Sequence, residues 1–378
     1  MNVGIVSKWF NRGQPVVGRY LRSAVDELGH ESFVLAKPRR EKGPMAGALE
    51  RTGVWDQPRV TAASSFETPL AEYEDWVRTN ALDVVLCDQN YQFDELAQLR
   101  SEGVRVIGRF VWEHFTREHL EPARTAYDVI YSVTACEQRR YAGWGLETPR
   151  VPWGIHPELL AVPARRSDDG LVRFVFPGGF LGHRKPAEPV VEAFSNARGE
   201  QLRLLVKAQV ERSRLEALLP MIEADERIEL RLADEPWHEH LAAVAANDVS
   251  LSPSRWEGLG LPLYEAVAFG MPTIANDDPP MNEVVVDDVN GLRPLPSRRH
   301  GPLGHPRPPA RHPGADCRDR ADRGARRARP PPRRRRALPR RPPLGADRRG
   351  ARRAARRLIP DVGRRSAALR PLSDPRRL

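Results

Sequence analysis

The most informative stretch of the chain is SPSRWEGLGLPLYEA, residues 252–266. One carboxylate, Glu257, lies in a glycine-containing loop after an apolar run, and a second, Glu265, follows eight positions later. The glycines allow the backbone to approach a ligand, and Pro262 suits the first position of a helix, so Glu265 is expected in its first turn. A helix start offers unpaired N–H groups to a phosphate. Ionised carboxylates beside it can accept hydrogen bonds from sugar or ribose hydroxyls.

The residues around this stretch alternate between strand and helix patterns. In the first half, strands are predicted at 3–7, 32–36, 82–87, 104–110 and 128–133, with helices at 17–28 and 93–101. In the second half, strands are predicted at 172–176, 202–206, 228–232, 249–252 and 273–276, with helices at 187–197, 212–223, 237–246 and 262–269. Gly270 follows the last helix at the position typical of a C-terminal cap.

This alternation predicts an α/β protein with two doubly wound, Rossmann-like domains, whose ligands bind at the carboxyl ends of the strands, facing a cleft. We place the first domain at residues 1–156. A polar, proline-containing linker follows at 157–170, and the second domain spans 171–296.

Residues 297–378 have a different composition from the rest of the chain. They contain 27 arginines, no lysine, six aspartates and no glutamate, a net charge of +21. Residues 1–296 hold 33 basic and 44 acidic residues, a net charge of −11. The tail lacks Phe, Tyr, Trp and Met, so it cannot bury enough apolar surface to offset a chain entropy of ~1–2 kcal/mol per residue. We expect it to be disordered.

Two interpretations of this tail stay open. It could be a basic arm that binds an anionic polymer or lipid. Alternatively, it is the product of a shifted reading frame in a GC-rich gene, since out-of-frame codons there yield Arg, Pro, Ala, Gly and Leu. The second domain would then be incomplete. Resequencing the gene around the codon for Pro296 distinguishes the two, because an intact frame contradicts the shift.

The remaining composition bears on the compartment and on metals. Cys87, Cys136 and Cys317 have no spacing typical of a disulfide framework or a metal site, which favours a reducing, cytoplasmic location. The first residues have no signal-peptide pattern, and no apolar run approaches the ~18 residues of a membrane helix. Contact with a membrane surface remains open. No metal ligand set and no organic cofactor motif is found, so neither is expected.

The stretch 252–266 resembles the E-x7-E signature of family-4 retaining glycosyltransferases, which have the GT-B fold. The similarity extends through 268–275, 282–285 and 290–291, and it includes FPGGFLGHRK at 176–185 and VPWGI at 151–155. It also includes Gly13 ahead of the Leu-Gly-His at 28–30. Together these segments reach most of residues 1–296 and none of the tail.

The resemblance implies roles for particular residues. Glu257 would hold the hydroxyls of the donor sugar, and Glu265 its ribose. Lys185 would neutralise the departing diphosphate, with Gly13 letting the first loop approach it. The donor-binding set is completed by Arg184, Lys207, Gly258, Leu259 and Gly260.

The sequence departs from the family pattern at Gly179, where an arginine is usual. Arg184, Lys207 or Arg12 could substitute for it, or diphosphate binding could be weaker. The histidine that the family places near the acceptor corresponds best to His114, which would orient the acceptor or touch the far hydroxyl of the sugar. Its neighbours Glu113 and His119 could instead take this role. The neighbouring Glu113, with Glu118 and Glu121, is interpreted as a solvated helix face.

The resemblance therefore implies a metal-independent, retaining enzyme that moves a hexosyl unit from a nucleoside diphosphate sugar to an acceptor hydroxyl of a glycan, glycolipid or natural product. The absence of Asp-x-Asp favours handling of phosphate by lysine and helix dipole. One alternative is a catalytically impaired homologue that still binds nucleotide sugars. Another is an anionic-polymer binder that acts through the tail. Nucleic acid is not expected as a partner, because the acidic body would repel it.

Overall fold

A computed structural model describes residues 1–39, 49–163, 168–232 and 234–293. The predicted disorder of the tail 297–378, the reading-frame hypothesis and part of the predicted linker lie outside these residues. Among the described residues, no helix is both long enough and apolar enough to cross a membrane.

The first sheet has six parallel strands in the order β3-β2-β1-β4-β5-β6. The strands are β1 (Asn2–Lys8), β2 (Glu31–Lys37), β3 (Val60–Ala62), β4 (Val84–Asp88), β5 (Arg105–Arg109) and β6 (Val129–Tyr131). The helices are α1 (Gly13–Glu27), α2 (Leu70–Thr79), α3 (Phe93–Ser101), α4 (Leu120–Ala126), α5 (Ala135–Ala142) and α6 (Pro157–Leu160). Helix α6 lies in the range predicted as a linker.

The second sheet repeats this order with β12-β11-β10-β7-β8-β9, again parallel. Its strands are β7 (Val172–Gly179), β8 (Leu202–Ala208), β9 (Ile228–Leu232), β10 (Val249–Ser252), β11 (Thr273–Ala275) and β12 (Gly291–Leu292). Its helices are α7 (Ala187–Ser195), α8 (Leu219–Glu223), α9 (Trp237–Ala245), α10 (Leu261–Ala268) and α11 (Met281–Val284). The predicted α/β class and doubly wound architecture are confirmed.

The predicted helix at 212–223 is wrong. The chain forms a 3₁₀ turn at Arg212–Leu215 and then the short helix α8. Pro220 is the second residue of α8, where its missing N–H costs no hydrogen bond. In a continuous helix from 212, the same proline would break the hydrogen-bond ladder.

Helix α10 differs from the prediction by one residue. It begins at Leu261, with Gly260 before it in the left-handed conformation at φ 82°. Pro262 is therefore the second helical residue, and Glu265 is the fifth. The expectation that Glu265 lies in the first turn is wrong. At the other end Gly270 has a positive φ of 62°, as predicted for the residue after the helix.

The two halves pack against each other through apolar side chains. One cluster combines Ile5 and Trp9 from the first half with Val175, Trp237 and Ala266 from the second. In another, Leu259 packs with Val17, Tyr131 and Val133 of the first half. Burial of these side chains holds the carboxyl ends of both sheets against a shared interface.

Candidate active site at the interface of the two sheets

The position of Glu257 follows from the topology of the second sheet. Strands β7 and β10 are neighbours and run parallel, so the loops that leave their carboxyl ends emerge side by side. The first loop carries Arg184 and Lys185, and the second carries Glu257. Between β7 and β10 the direction of chain progression through the sheet reverses, which is where such sheets bind ligands.

Glu257 is buried and is held by three side chains of its own half. Its Oε1 accepts hydrogen bonds from Lys185 Nζ at 2.9 Å and Ser254 Oγ at 2.7 Å, and its Oε2 lies 3.5 Å from Arg184 Nη1. Burial by itself would raise the pKa of Glu257, but Lys185, Arg184 and the hydrogen bonds outweigh it, so the pKa is lowered. Glu257 is therefore a carboxylate at neutral pH, able to accept hydrogen bonds from hydroxyls.

The loop that carries Glu257 touches the first half directly. Trp112 Nε1 donates a hydrogen bond of 2.9 Å to the Glu257 carbonyl oxygen. A methyl group placed on Gly258 would lie 2.6 Å from Val111 Cγ1 and 3.5 Å from Glu113 Oε2. Only glycine fits this approach. The segment after β5 thus covers the Glu257 loop.

The contact between the segment after β5 and the Glu257 loop also brings Glu113 to the site. The interpretation of Glu113 as part of a solvated helix face is wrong. Its side chain is only 14% exposed, and its Oε1 lies 3.8 Å from Arg184 Nη1 of the other half. Burial raises the pKa of Glu113 to about 7, with Arg184 opposing the rise and Glu257 adding to it. The sequence carried a partial signal for this burial, since Glu113 lies between two aromatic residues, Trp112 and Phe115, that are themselves buried.

Glu265 lies in a separate, densely packed part of the interface. It is buried, and its Oε2 lies 3.9 Å from His240 Nε2 and accepts no hydrogen bond from the described residues. Its charge adds to the rise in the pKa of Tyr20, a rise caused first by the burial of that phenol. Tyr20 belongs to α1, so Glu265 also faces the first half. A buried oxygen without a hydrogen bond is one that a ligand hydroxyl could satisfy.

Two of the three cations proposed as substitutes at Gly179 are already paired elsewhere. Lys207 is buried and donates to Glu235 Oε2 at 2.5 Å. Arg12 bridges the interface to Asp234 Oδ1 at 2.7 Å and lies over the ring of Phe180, 5.4 Å from its centroid. Arg184 is the third, and it lies beside Glu257. Among the three, Arg184 is the one that joins the Glu257 cluster.

Gly13 and the loop 258–260 lie at two adjacent helix starts. Gly13 begins α1, and a methyl group there would lie 3.8 Å from Leu261 Cδ1, at the start of α10. Gly260 precedes α10 with its positive φ. Leu259 is buried between the halves. The N-termini of α1 and α10 therefore lie close together, and both present partial positive charge.

The two histidines considered for the acceptor side differ in exposure. The His114 side chain is 64% exposed, with Nε2 4.0 Å from Glu113 Oε2. His119 instead caps a 3₁₀ turn, where its Nδ1 accepts from the Thr116 amide at 3.0 Å, and it packs on Phe115. His119 is a structural residue, which leaves His114 as the histidine that is accessible at this edge.

The comparisons with known proteins agree with this architecture. Residues 166–293 match the model of the family described as glycosyl transferases group 1. A stretch of 46 residues is 48% identical to an uncharacterized 41.2 kDa protein in the cps region of Klebsiella pneumoniae. That match covers 12% of this chain and 13% of the relative.

Three solved structures share the fold across most of the chain. The lipopolysaccharide outer core galactosyltransferase WaaB, in its apo form, is 14% identical with a TM-score of 0.55, covering 79% of this chain and 87% of that one. Sucrose-phosphate synthase from Thermosynechococcus elongatus is 17% identical with a TM-score of 0.60, covering 79% and 86%. Anabaena Alr3699/HepE in complex with UDP and glucose is 13% identical with a TM-score of 0.56, covering 79% and 86%.

The two parallel sheets and these neighbours define a GT-B fold. Within it, the residues that match the glycosyl transferases group 1 model, 166–293, make up most of the second half. Among the described residues, no group of three or more His, Cys, Asp or Glu side chains is arranged to hold a metal ion.

Proposed function

We propose that the chain is a metal-independent, retaining glycosyltransferase of family 4 that transfers a hexosyl unit from a nucleoside diphosphate sugar to an acceptor hydroxyl. The observation that carries the proposal is the meeting of Glu257 with Arg184 and Lys185 at the carboxyl ends of β7 and β10, opposite the first half. The group 1 domain supports the transferase class. Anabaena Alr3699/HepE, which has been solved in complex with UDP-glucose, supports a nucleotide sugar as donor.

The charges of the cluster suit the donor's chemistry. Breaking the bond between sugar and phosphate builds negative charge on the leaving oxygens and positive character on the sugar ring. Lys185 and Arg184, helped by the helix starts at Gly13 and Gly260, would stabilise the leaving diphosphate more in the transition state than in the ground state. Glu257 would hold the sugar's hydroxyls.

Glu265 would hold the ribose through its Oε2, the oxygen that lies 3.9 Å from His240. The acceptor would bind on the first half, where the exposed His114 would orient its hydroxyl. Closure of the two halves would exclude water, which otherwise competes with the acceptor. We place this activity in the cytoplasm, and peripheral contact with a membrane surface is compatible with it.

A two-stage experiment tests the proposal. UDP-, GDP- and ADP-hexoses are first screened for a thermal shift, since a ligand at a hundred times its Kd stabilises the folded state by about 2.7 kcal/mol. Each stabilising donor is then incubated with acceptors, with and without EDTA. Release of the nucleoside diphosphate is measured, and the anomeric configuration of the product is read by NMR.

We expect EDTA-resistant release and a product that keeps the donor's configuration. Stabilisation without release would favour the catalytically impaired homologue. No stabilisation by any donor, together with salt-dependent polyanion binding that is lost on deleting residues 297–378, would favour the anionic-polymer binder.

A further inference from the structure

Arg184 lies between two carboxylates that belong to different halves of the molecule. Its Nη1 is 3.5 Å from Glu257 Oε2 and 3.8 Å from Glu113 Oε1. Both distances exceed the ~2.7–2.9 Å of a charge-assisted hydrogen bond. Lys185, by contrast, holds Glu257 at 2.9 Å. Arg184 is therefore the more loosely held of the two cations, and its side chain keeps 34% exposure.

Glu113 depends on this contact for its charge. The group of the second half that faces Glu113 is Arg184, and the Lys185–Glu257 pair lies on the far side of Arg184. From its own half Glu113 faces the exposed His114, and the buried charges of Arg109 and Glu137 act on it more weakly. Within the part of the chain that the structure describes, its Oε1 accepts no hydrogen bond. With a pKa of about 7, Glu113 is close to half protonated at neutral pH.

We infer that Glu113 is a positioning residue that, in the ligand-free protein, holds Arg184 where the diphosphate of the donor would bind. When a nucleoside diphosphate binds, Glu113 takes up a proton. The inference rests on the proposed function, because it needs a diphosphate next to Arg184 and Lys185. The incoming phosphates attract the guanidinium away from Glu113. Glu113 then loses a counter-ion while negative charge arrives beside it. Both changes favour its neutral form, and the proton comes from solvent.

The sign of the pH dependence follows from this exchange. Well below pH 7 Glu113 is already protonated in the ligand-free protein, so binding takes up little. Well above pH 7 it is ionised in the ligand-free protein and protonated in the complex. Affinity should then fall as pH rises, by at most about tenfold per pH unit for one proton. A terminal phosphate titrates near pH ~6, so measurements between about pH 7 and 9 keep the ligand's own charge constant.

Calorimetry on the full 378-residue chain measures the proton directly. UDP, GDP and ADP are each titrated at pH 7.5 in HEPES and in Tris, whose ionisation enthalpies differ, and the slope gives the protons bound. For the ligands that bind we expect a measurable uptake of at most about one proton. Affinities for the same ligands are then measured across the pH window.

Glu113→Gln cannot titrate, so its uptake should fall to near zero and the pH slope should vanish. Glu113→Asp should restore both. Arg184→Gln should also reduce uptake, because Glu113 without its cation is already protonated in the empty site. Glu118→Gln, an exposed residue of the same segment, is the matched control and should behave like the wild type. Circular dichroism and the melting temperature establish that each variant is folded.

The outcomes are distinguishable. Wild-type uptake in a folded Glu113→Gln overturns the inference while leaving nucleotide binding, and so the proposed function, intact. If Glu113→Gln loses nucleotide affinity equally at every pH while its proton uptake is unchanged, Glu113 has a structural role only. That result also overturns the inference. If none of the three nucleotides binds the wild type, the proposed function fails and the inference fails with it.

Discussion

Two clusters of opposite charges lie at the carboxyl ends of the two sheets, and they differ in how firmly they are held. In the first sheet, Arg109 contacts Asp88 at 2.9 Å and Glu137 at 3.5 Å, and none of these side chains is more than 1% exposed. In the second, Arg184 reaches its two carboxylates only at 3.5 and 3.8 Å and remains partly exposed.

The difference has a cause in the chain's topology. Asp88 and Arg109 end the paired strands β4 and β5, where they are partners in the sheet register. Glu137 lies in the first turn of α5, fixed by a capping box with Thr134. All three positions belong to one half, so regular structure sets their geometry.

The cluster around Arg184 is built instead from loops of both halves. The distances from Arg184 to its two carboxylates depend on how the two halves pack together. Arg184 can therefore change its partner without disrupting a helix or strand. A buried cluster of fixed geometry stabilises the fold, because removing one charge leaves the remaining charges buried without a counter-charge or water. A looser cluster at an interface can exchange a carboxylate for a ligand's phosphate. The predictions below test this contrast in order of expected effect.

The largest effect is expected from Arg109→Met, which leaves Asp88 and Glu137 buried without a counter-charge. We expect a loss of about 3–5 kcal/mol in the free energy of unfolding, measured by urea denaturation. Arg212→Met is the control. It removes an exposed pair with Glu223 and should change stability by less than about 0.5 kcal/mol. Should Arg109→Met not fold, Asp88→Asn removes a charge while keeping the shape. Stability equal to that of the control in either variant would contradict the structural role of this cluster.

A smaller effect, on turnover rather than on folding, is expected from Glu257→Gln. The amide keeps the size of the side chain but loses the charge that holds Lys185 and the sugar's hydroxyls. We expect kcat/KM for transfer to fall by about 100-fold or more, equivalent to about 2.7 kcal/mol of the barrier. The free energy of unfolding should fall by less than for Arg109→Met, because the amide oxygen can still accept from Ser254 or Lys185 and Lys185 keeps its contact with the Pro177 carbonyl.

The control for this change is Glu229→Gln, an exposed carboxylate paired with Arg231, which should keep wild-type rates. Near-normal transfer by Glu257→Gln would remove Glu257 from the proposed site. A large loss of stability would instead place Glu257 with Arg109 as a structural charge.

The smallest effect is expected at Glu283, which joins the two halves away from Arg184. Glu283 in α11 accepts hydrogen bonds of 2.7 Å from the amides of Ala135 and Cys136, at the N-terminus of α5 in the other half. Arg139 and Arg150 lie 3.6 and 3.7 Å from the same carboxylate. Glu283→Ala should reduce the stability of the closed arrangement by about 0.5–2 kcal/mol, because it uncaps a helix start.

Small-angle X-ray scattering can measure this change as an increase in the radius of gyration of Glu283→Ala. Glu283→Gln should fall between the wild type and Glu283→Ala, since its amide oxygen still accepts a hydrogen bond without the charge. An unchanged radius in both variants would show that the apolar contacts alone keep the halves together.

Much of the fold could be predicted from local patterns. Every strand predicted in the second half is present, because short apolar runs bounded by turn residues are typical of buried parallel strands. The ten-residue helix α2 was not predicted, nor were the shorter elements β3, α4, α5, α6, α11 and β12. The break at Pro220 and the one-residue shift of α10 were missed because each depends on where a helix begins, the least regular part of a helix.

The site was predictable in part. The E-x7-E spacing pointed to Glu257 and Glu265 before any contact was known, and the structure places both against the first half. Their roles stay predictions. Glu113 was misinterpreted, because charged residues near it in sequence suggested a solvated face while its neighbours in space lie about seventy and 140 positions away.

The amino-acid sequence by itself determined the alternation of strands and helices and the residues available at the carboxyl end of each strand, since these depend on spacing along the chain. Only the tertiary structure decided which charges meet. Lys207 pairs with Glu235, whereas Arg184 lies between Glu113 and Glu257. The physical reason is that the charge state of a buried carboxyl depends on the exclusion of water and on charged groups a few ångströms away. Both are determined by the packing of the two halves.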